Sequence, residues 1–532
     1  MGHFPQMLKA GPGDVLRTWT NTVPNHGIIR YLDFFNMERL AIVGPDALAD
    51  VLTHHCYDFE KPLQLRKGIS RILGMGLFLA EGEVHKRQRK NLMPAFAYRH
   101  VKNLYPMFWS KSRETMTALL ASFNRHGDGG FSENVSVEVN EWATRATLDI
   151  IGQGGFGQSF NAIQDPENKL SQTYRSIFKQ GRTGQILGLL SFLFPLWLLR
   201  RLPLLRNHRM KQGSDFIRAF CRSSIESKRQ QGSLESEGEL DILSVAMKSG
   251  GFSDEDLVDQ MMTFLAAGHE TTASALTWAI YAISKHPQVQ ARLRAEVDRH
   301  LPNPITNSSS IVTAETIEQM PYLSAVCREV LRLYSPVAVT IRVAVKDTTI
   351  AGQAIPKGTT IMPAPWAVNG SIDLWGGDAL EFKPERWQER KASDGERKGT
   401  NYDYMTFLHG PRSCIGQTFA VGELSCLLAA WVAAFETRLT DPDYVPVVKG
   451  GITAKPKDGV HVPYDSSQQV NPDKYPNHRA VNSIWTNAVL GPFELAYLFH
   501  QKGLFHRSSS DSNQPTLLLE RIHPKDVRDT QK

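Results

Sequence analysis

The stretch that decides the reading is Phe407-Leu408-His409-Gly410-Pro411-Arg412-Ser413-Cys414-Ile415-Gly416. Its centre, Cys414, is one of five cysteines in 532 residues. Gly410 and Pro411 resist regular helix or strand, whereas Gly416 is followed by a long apolar pattern, Phe419-Ala420-Val421 through Leu427-Leu428-Ala429-Ala430. Loop, cysteine, then helix places a sulfur where a helix N-terminus favours negative charge, so a thiolate there is a ready metal ligand. The glycines let the backbone approach a flat partner and let amides point at the sulfur.

Composition limits what such a loop can belong to. Apolar residues make up 41% and charged residues 21% of the chain, which permits a large buried core in one large domain or in two or three ordinary ones. The net charge of +6 fits one basic face. No long Lys/Arg run or basic stripe interleaved with aromatics is present, which argues against nucleic acid as a partner. Cys56, Cys221, Cys327, Cys414 and Cys426 are odd in number and include no C-x-x-C pair. A reducing compartment follows, rather than a disulfide framework or a structural zinc site.

Met1 to Val23 contains no run of roughly 18 apolar residues and no signal-peptide core. The most apolar stretch, Ile186 to Leu199, contains Pro195 and is followed by Arg200, Arg201, Arg206 and Arg209. It is too short to span a bilayer comfortably, and reads equally as a buried core helix or as an interfacial segment.

Taken in order, the chain is helix-rich with short strands, a mainly α architecture with a small β part. Residues 27–44 predict a two-stranded hairpin, with a helix over Pro45 to Leu52. His85 to Ala95 carries a basic patch of His85, Lys86, Arg87, Arg89 and Lys90. Gly152, Gly154 and Gly157 match G-x-G-x-x-G, but a helical pattern precedes them and no helix opens on them, so no dinucleotide site is expected. Residues 230–239 read as a polar surface loop.

Ser253 and Asp256 form an S-x-x-D capping box, and the helical pattern then continues to Ser284, ahead of Pro287. About thirty residues at about 1.5 Å each span roughly 45 Å, enough to cross a large domain. Nearly all faces are apolar, so this is a buried central helix. Its middle, Ala267-Gly268-His269-Glu270-Thr271-Thr272, conflicts with that setting. Mid-helix glycine costs about 1 kcal/mol, and an unpaired buried carboxylate costs more. Such a conflict marks function unless the cluster is satisfied by its own helix. An H-E-x-x-H zinc motif would need histidine at 273, where Ala273 stands.

A further helix covers roughly Tyr322 to Tyr334, with Glu329 and Arg332 on one face, a spacing that alone describes a common surface ion pair. Short strands and turns fill residues 336–365, and Phe382-Lys383-Pro384-Glu385-Arg386-Trp387 forms a proline-fixed turn.

F-x-x-G-x-R-x-C-x-G, A-G-x-E-T-T on a long helix, E-x-x-R and P-E-R-W together resemble the cytochrome P450 haem-thiolate monooxygenases. The resemblance covers about residues 25 to 463. Ala-Gly-His-Glu-Thr-Thr-Ala and Phe-Lys-Pro-Glu-Arg-Trp are similar to eukaryotic microsomal members, most closely the filamentous-fungal enzymes of secondary metabolism. The resemblance implies the family fold, a long helix over haem and a cysteine loop beneath it. It implies that Cys414 is the axial thiolate, that Phe407 and Gly416 of its loop bind the haem, and that Glu270 and Thr271 deliver protons to dioxygen beside Gly268. Glu329, Arg332 and Arg386 become a buried charge triad. Arg412 and Arg342 pair haem propionates. The family often has Trp-x-x-x-Arg in the basic helix; here His85 stands in the Trp place, and His85 and Arg89 would be the propionate contacts. Lys86, Arg87 and Lys90 would face an acidic electron-donor protein.

Microsomal members begin with a transmembrane anchor, which Met1–Pro24 does not resemble. Three explanations stay open: a soluble protein, an incomplete start, or peripheral membrane contact through Ile186–Leu199. Residues 464–532 have no family counterpart; they read as largely disordered, with one short helix over Phe493 to Phe499. The expected domains are therefore 1–24, 25–463 and 464–532.

The implied activity is a monooxygenase that inserts one oxygen atom from dioxygen into a lipophilic small molecule, a terpenoid or polyketide-type intermediate. It would use haem, dioxygen and electrons from NADPH through a separate reductase, at the cytosolic surface of the endoplasmic reticulum or otherwise in the cytoplasm. The pocket residues would be Phe264, Ala267, Val337, Val339 and Ile452. The alternatives are a haem-thiolate isomerase or dehydratase acting on a peroxide without a reductase, and a non-catalytic haem binder. Retention of Glu270-Thr271 argues against both.

Overall fold

The computed structural model describes residues 2–125, 136–178, 187, 190, 194, 196–202, 204–230, 241–305, 311–392, 400–449 and 453–463. All lie in one unit, Met1–Val470; the second unit, Asn471–Lys532, lies outside the described residues. So do Ile452, most of Ile186–Leu199 and the expected helix at Phe493–Phe499.

The central helix runs Asp254–Lys285, and both halves of its capping box form: Asp256 N donates to Ser253 Oγ (3.2 Å), and Ser253 N donates to Asp256 Oδ2 (3.1 Å). Asp254, Glu255 and Asp256 crowd its first turn, and Lys285 closes the last, matching charge to the helix dipole at both ends. From Gln260 to Ser284 the helix is buried at every position except Ala267, Gly268 and Thr271.

The helix Val139–Phe156 packs along it, and Gly268 lies against Ile151 of that helix. A Cβ at Gly268 would lie 2.8 Å from Ile151 Cγ1. The mid-helix glycine is therefore required by helix packing, whatever groove it also leaves on its other face. The glycine-rich end of Val139–Phe156 stays helical until Gly157 caps it in the left-handed region (φ 68°). The G-x-G-x-x-G match is a helix C-terminus.

Gln417–Ala434 completes the helical core, with Leu427, Leu428, Ala429 and Ala430 fully buried. Among the described residues it alone is long and apolar enough to cross a membrane, but 78% of that span is buried inside the protein, as in a core helix.

A smaller core sits on a five-stranded sheet. Its spatial order is Ile28–Leu32, Glu38–Ile42, Thr360–Pro363, Arg342–Ala344, Phe59–Glu60. The hairpin expected at 27–44 is present, with Ile28 opposite Ile42. Glu38–Ile42 pairs in parallel with Thr360–Pro363, which joins the two halves of the chain. A second hairpin, Thr348–Ile350 with Gln353–Ile355, turns at Ala351 and Gly352, both at positive φ (48° and 75°), the geometry of a two-residue turn that matches strand twist. The helix expected from Pro45 to Leu52 ends at Ala49 and continues as a wider turn over Asp50–His54.

The N-terminal stretch is helical over Phe4–Ala10 and Pro12–Thr22 and belongs to the sheet-side core, with Leu16 fully buried.

Candidate functional site

The cysteine loop is held by its own backbone. Gly410–Arg412 forms a single tight turn, Cys414 N donates to Phe407 O (2.8 Å), and the helix begins at Gln417. Gly410 sits at φ 74°, and a Cβ there would lie 2.0 Å from Leu52 O, so only glycine fits. The Gly416 amide and the Arg89 guanidinium favour the Cys414 thiolate, whereas burial pushes its thiol up. Yet the side chain is exposed. Both hold for a sulfur that is surrounded by protein atoms yet reachable from one side.

The basic helix, Gly82–Phe96, lies against this loop. Arg89 Nη1 donates to Ser413 O (2.7 Å) and Nη2 to Ser413 Oγ (3.1 Å), so the guanidinium braces the residue before Cys414. His85 is buried, and its Nδ1 lies 3.3 Å from the Tyr57 hydroxyl. Burial, then Arg412, Lys61 and Arg89, push its pKa down to about 4, so His85 is neutral at neutral pH. Lys86, Arg87 and Lys90 are exposed on the opposite face.

Behind His85 the cations accumulate. Arg342 is 4% exposed; its Nη1 donates to Thr340 Oγ1 and Ile341 O, both at 2.8 Å. Burial and Arg412 lower it to about 10, against an opposing pull from Glu81. Lys61 is lowered to about 7 by burial and by Arg342, with Glu81 again opposing. Arg412 Nη1 donates to Cys56 O (2.6 Å) and Phe59 O, and its guanidinium pairs with Glu81. That contact is an ion pair without hydrogen-bond alignment: Arg412 Nε and Nη2 and Glu81 Oε2 are buried with no hydrogen-bond partner. Three basic residues, Lys61, Arg342 and Arg412, therefore face one carboxylate, Glu81, and Arg89 adds a fourth positive charge on the Cys414 side of His85. A buried excess of positive charge, with Arg412 Nε left without a partner, suits an anionic guest, and a group with two carboxylates beside the Cys414 thiol fits it.

On the other side of the core, Glu270 is 6% exposed, and its Oε1 accepts from Lys455 Nζ (2.6 Å) and Thr453 Oγ1 (3.1 Å). Thr271 Oγ1 donates to Ala267 O (2.8 Å), the bond to its own helix expected of a mid-helix threonine. Beyond them Glu423, on the helix that leaves the cysteine loop, is fully buried and neither oxygen has an aligned hydrogen bond. Burial holds its carboxyl well above the ordinary range, although the neighbouring Thr272 pulls the other way.

The triad forms at the opposite end of Pro321–Leu333 from that helix's start. Arg332 Nη2 and Nε donate to Glu329 Oε1 (2.8 Å) and Oε2 (2.9 Å), and Arg386 Nε donates to Oε1 (2.8 Å). Trp387 Nε1 (2.9 Å) and the Lys383 amide (3.0 Å) complete the shell. Glu329 and Arg332 are completely buried, so E-x-x-R is no surface pair.

The expected pocket residues are only partly brought together. Phe264 belongs to the helical core, its ring 5.4 Å from that of Phe96, and Ala267 is exposed mid-helix. Val339 packs on the sheet-side core, and Val337 is half-buried. Sequence reasoning missed Lys61, Glu81, Glu423 and Lys455. Glu423 had a visible signal, a lone carboxylate in an apolar run; the other three meet their partners only through the fold.

A family-wide sequence model described as Cytochrome P450 matches residues 1–461. The cytochrome P450 monooxygenase sphH of Aspergillus fumigatus is 46% identical over 463 residues, 86% of this chain and 84% of the relative. The cytochrome P450 monooxygenase ALT8 of Alternaria alternata is 43% identical over 502 residues, 84% of each chain. The cytochrome P450 monooxygenase FUM15 of Gibberella moniliformis is 43% identical over 469 residues, 80% of this chain and 78% of the relative. With this extent of likeness, a cysteine loop and a cationic cradle of the right chemistry, the chain belongs to the cytochrome P450 family and is a haem-dependent monooxygenase using dioxygen and NADPH-derived electrons from a reductase.

Proposed function

We propose that this monooxygenase oxidises a terpenoid or polyketide-type intermediate of fungal secondary metabolism at the cytosolic surface of the endoplasmic reticulum. The observation that carries the site assignment is the pairing of an exposed, protein-walled Cys414 with the cationic cradle of Arg412, Arg342, Arg89 and Lys61. Cys414 supplies the thiolate to iron. Arg412 and Arg342 would hold the propionates, with Arg89 bracing the loop and neutral His85 offering an imidazole hydrogen bond where the family often has Trp. Bound haem supplies the activation of dioxygen and the insertion of one oxygen atom into substrate. Glu270 and Thr271 deliver protons from the central helix to the reacting oxygen.

Phe264, Ala267, Val337 and Val339 are apolar, which favours a lipophilic substrate; Ile452 is proposed to join them from outside the described residues. Lys86, Arg87 and Lys90 present an exposed cationic face to the acidic reductase. The catalytic domain is proposed to span 25–463, with residues 1–24 as an N-terminal segment and 464–532 as a C-terminal tail. The relatives' printed names are those of monooxygenases, which disfavours the peroxide isomerase or dehydratase.

The test is spectroscopic and then kinetic. Ferrous protein with carbon monoxide gives the red-shifted Soret band of a thiolate complex, and Cys414→Ala loses it; retention of the band refutes the ligand assignment. Thr271→Ala diverts NADPH into hydrogen peroxide; unchanged coupling moves the proton route elsewhere. Feeding the products of adjoining biosynthetic genes identifies the substrate, and failure of every lipophilic candidate refutes the substrate class.

A further inference from the structure

Three consecutive residues near the chain's last hairpin, Thr453, Ala454 and Lys455, meet one face of the central helix at three positions four residues apart. Thr453 Oγ1 and Lys455 Nζ both donate to Glu270 Oε1. Ala454 O accepts from Ser274 Oγ and Trp278 Nε1, each at 2.9 Å. Glu270, Ser274 and Trp278 stand at i, i+4 and i+8, one stripe of the helix. Thr271 lies on the adjoining stripe with Ala267, where the helix is not closed off.

The segment has more anchorage than the ion pair gives it. Besides the two bonds to Ala454 O, Ala454 N donates to Pro336 O (2.8 Å), and Lys455–Pro456 pairs with Val448–Lys449. The Lys455–Glu270 contact is thus not needed to hold the segment on the helix. Its consequence falls on the carboxylate: a side chain in the dry middle of a buried helix receives a counter-ion and two donors on the same oxygen. The Lys455 and Glu270 side chains are 21% and 8% exposed, so the pair joins a buried carboxylate to the protein surface.

We propose that Lys455 is a positioning residue for proton delivery: by anchoring Oε1, together with Thr453, it fixes the rotamer of Glu270, the residue that precedes Thr271 on the helix. This rests on the reading of Glu270 and Thr271 as the proton-delivery pair. A clamp from a different part of the chain suits that role, because a glutamate free to swing along its helix would spend most of its time away from Thr271.

The experiment uses full-length haem-loaded enzyme with reductase and NADPH and no added substrate, so that electrons leave only as hydrogen peroxide or as water. The readout is the ratio of NADPH oxidised to peroxide released. Loss of proton delivery drives that ratio towards one. Lys455→Met is expected to cut the water-forming share by at least about tenfold, a part of the roughly hundredfold or more that a positioned acid contributes to proton transfer, and Lys455→Arg to restore it. In the apoprotein, the lowering of the unfolding midpoint by Lys455→Met and by Glu270→Gln is expected to be non-additive. If Glu270→Gln and Thr271→Ala shift the ratio but Lys455→Met leaves it at the wild-type value, the positioning role is overturned and the proton-delivery reading stands. If Glu270→Gln and Thr271→Ala also leave it unchanged, that reading falls. Failure of Lys455→Arg to restore the ratio, or additive midpoints, likewise overturns the positioning role.

Discussion

Glu329→Gln isolates the buried triad. The native carboxylate takes five hydrogen bonds, three on Oε1 from Arg332, Arg386 and the Lys383 amide, and two on Oε2 from Arg332 and Trp387. Glutamine offers one acceptor oxygen, so whichever way its amide turns, at least two of these donors meet an NH2 group. Glu329 and Arg332 are 0% exposed and Arg386 is 5% exposed, so water cannot compensate. Arg332 keeps its bonds to Asn369 O and Ala379 O, both 2.6 Å, but loses its counter-charge, while Arg386 retains Asp378 (3.1 Å) as its remaining carboxylate partner. Breaking a buried pair by removing one partner costs about 3–5 kcal/mol. With an unfolding entropy of about 2 cal/mol/K per residue over the Met1–Val470 unit, about 1 kcal/mol corresponds to roughly one degree. The expected fall in the melting midpoint is therefore about 3–5 °C, read by circular dichroism on the apoprotein so that haem affinity does not enter. Replacing Glu329, Arg332 and Arg386 together by leucine, methionine and leucine is expected to cost less per group, because no charge is then left unpaired. A Glu329→Gln protein melting within one degree of wild type refutes the reasoning.

Three further substitutions probe other layers. Gly268→Ala places a methyl group 2.8 Å from Ile151 Cγ1 and is expected to lose about 1–3 kcal/mol in urea unfolding, with Ile151→Val recovering part of it; a neutral Gly268→Ala shows that the helices can part. Glu423 titrates higher in the folded than in the unfolded protein, so the fold binds the extra proton and stability declines as pH rises above about 4.5, by up to about 1.4 kcal/mol per unit. Glu423→Gln is expected to flatten that decline and raise the midpoint at pH 7, and an unchanged pH profile refutes it. Arg412→Leu removes the guanidinium in contact with both Glu81 and the Cys56 and Phe59 carbonyls and is expected to accelerate haem loss to apomyoglobin at least about tenfold, while Lys86→Ala leaves that rate unchanged and weakens reductase binding; equal haem loss in wild type and Arg412→Leu removes Arg412 from the cradle.

The chain itself determined everything that depends on local chemistry. The capping box at Ser253, the interruption at Ala267–Thr272 and the glycine-flanked Cys414 are each contiguous, so the constraint or conflict that each encodes is visible among neighbouring residues. Their order sufficed for the family, because a thiolate loop and a polar insertion in a dry helix serve few chemistries in common. What only the tertiary structure decided is charge balance. Glu329 and Arg332 at one helix spacing describe a surface pair until Arg386, Trp387 and the Lys383 amide close around them. Lys61 and Glu81 meet Arg342 and Arg412 across hundreds of residues, and Lys455 reaches Glu270 across 185 positions. The reason is physical. Whether a charge is a solvated ornament or a functional group depends on how much water it has lost and which opposite charge replaced it, and a sequence records neither quantity.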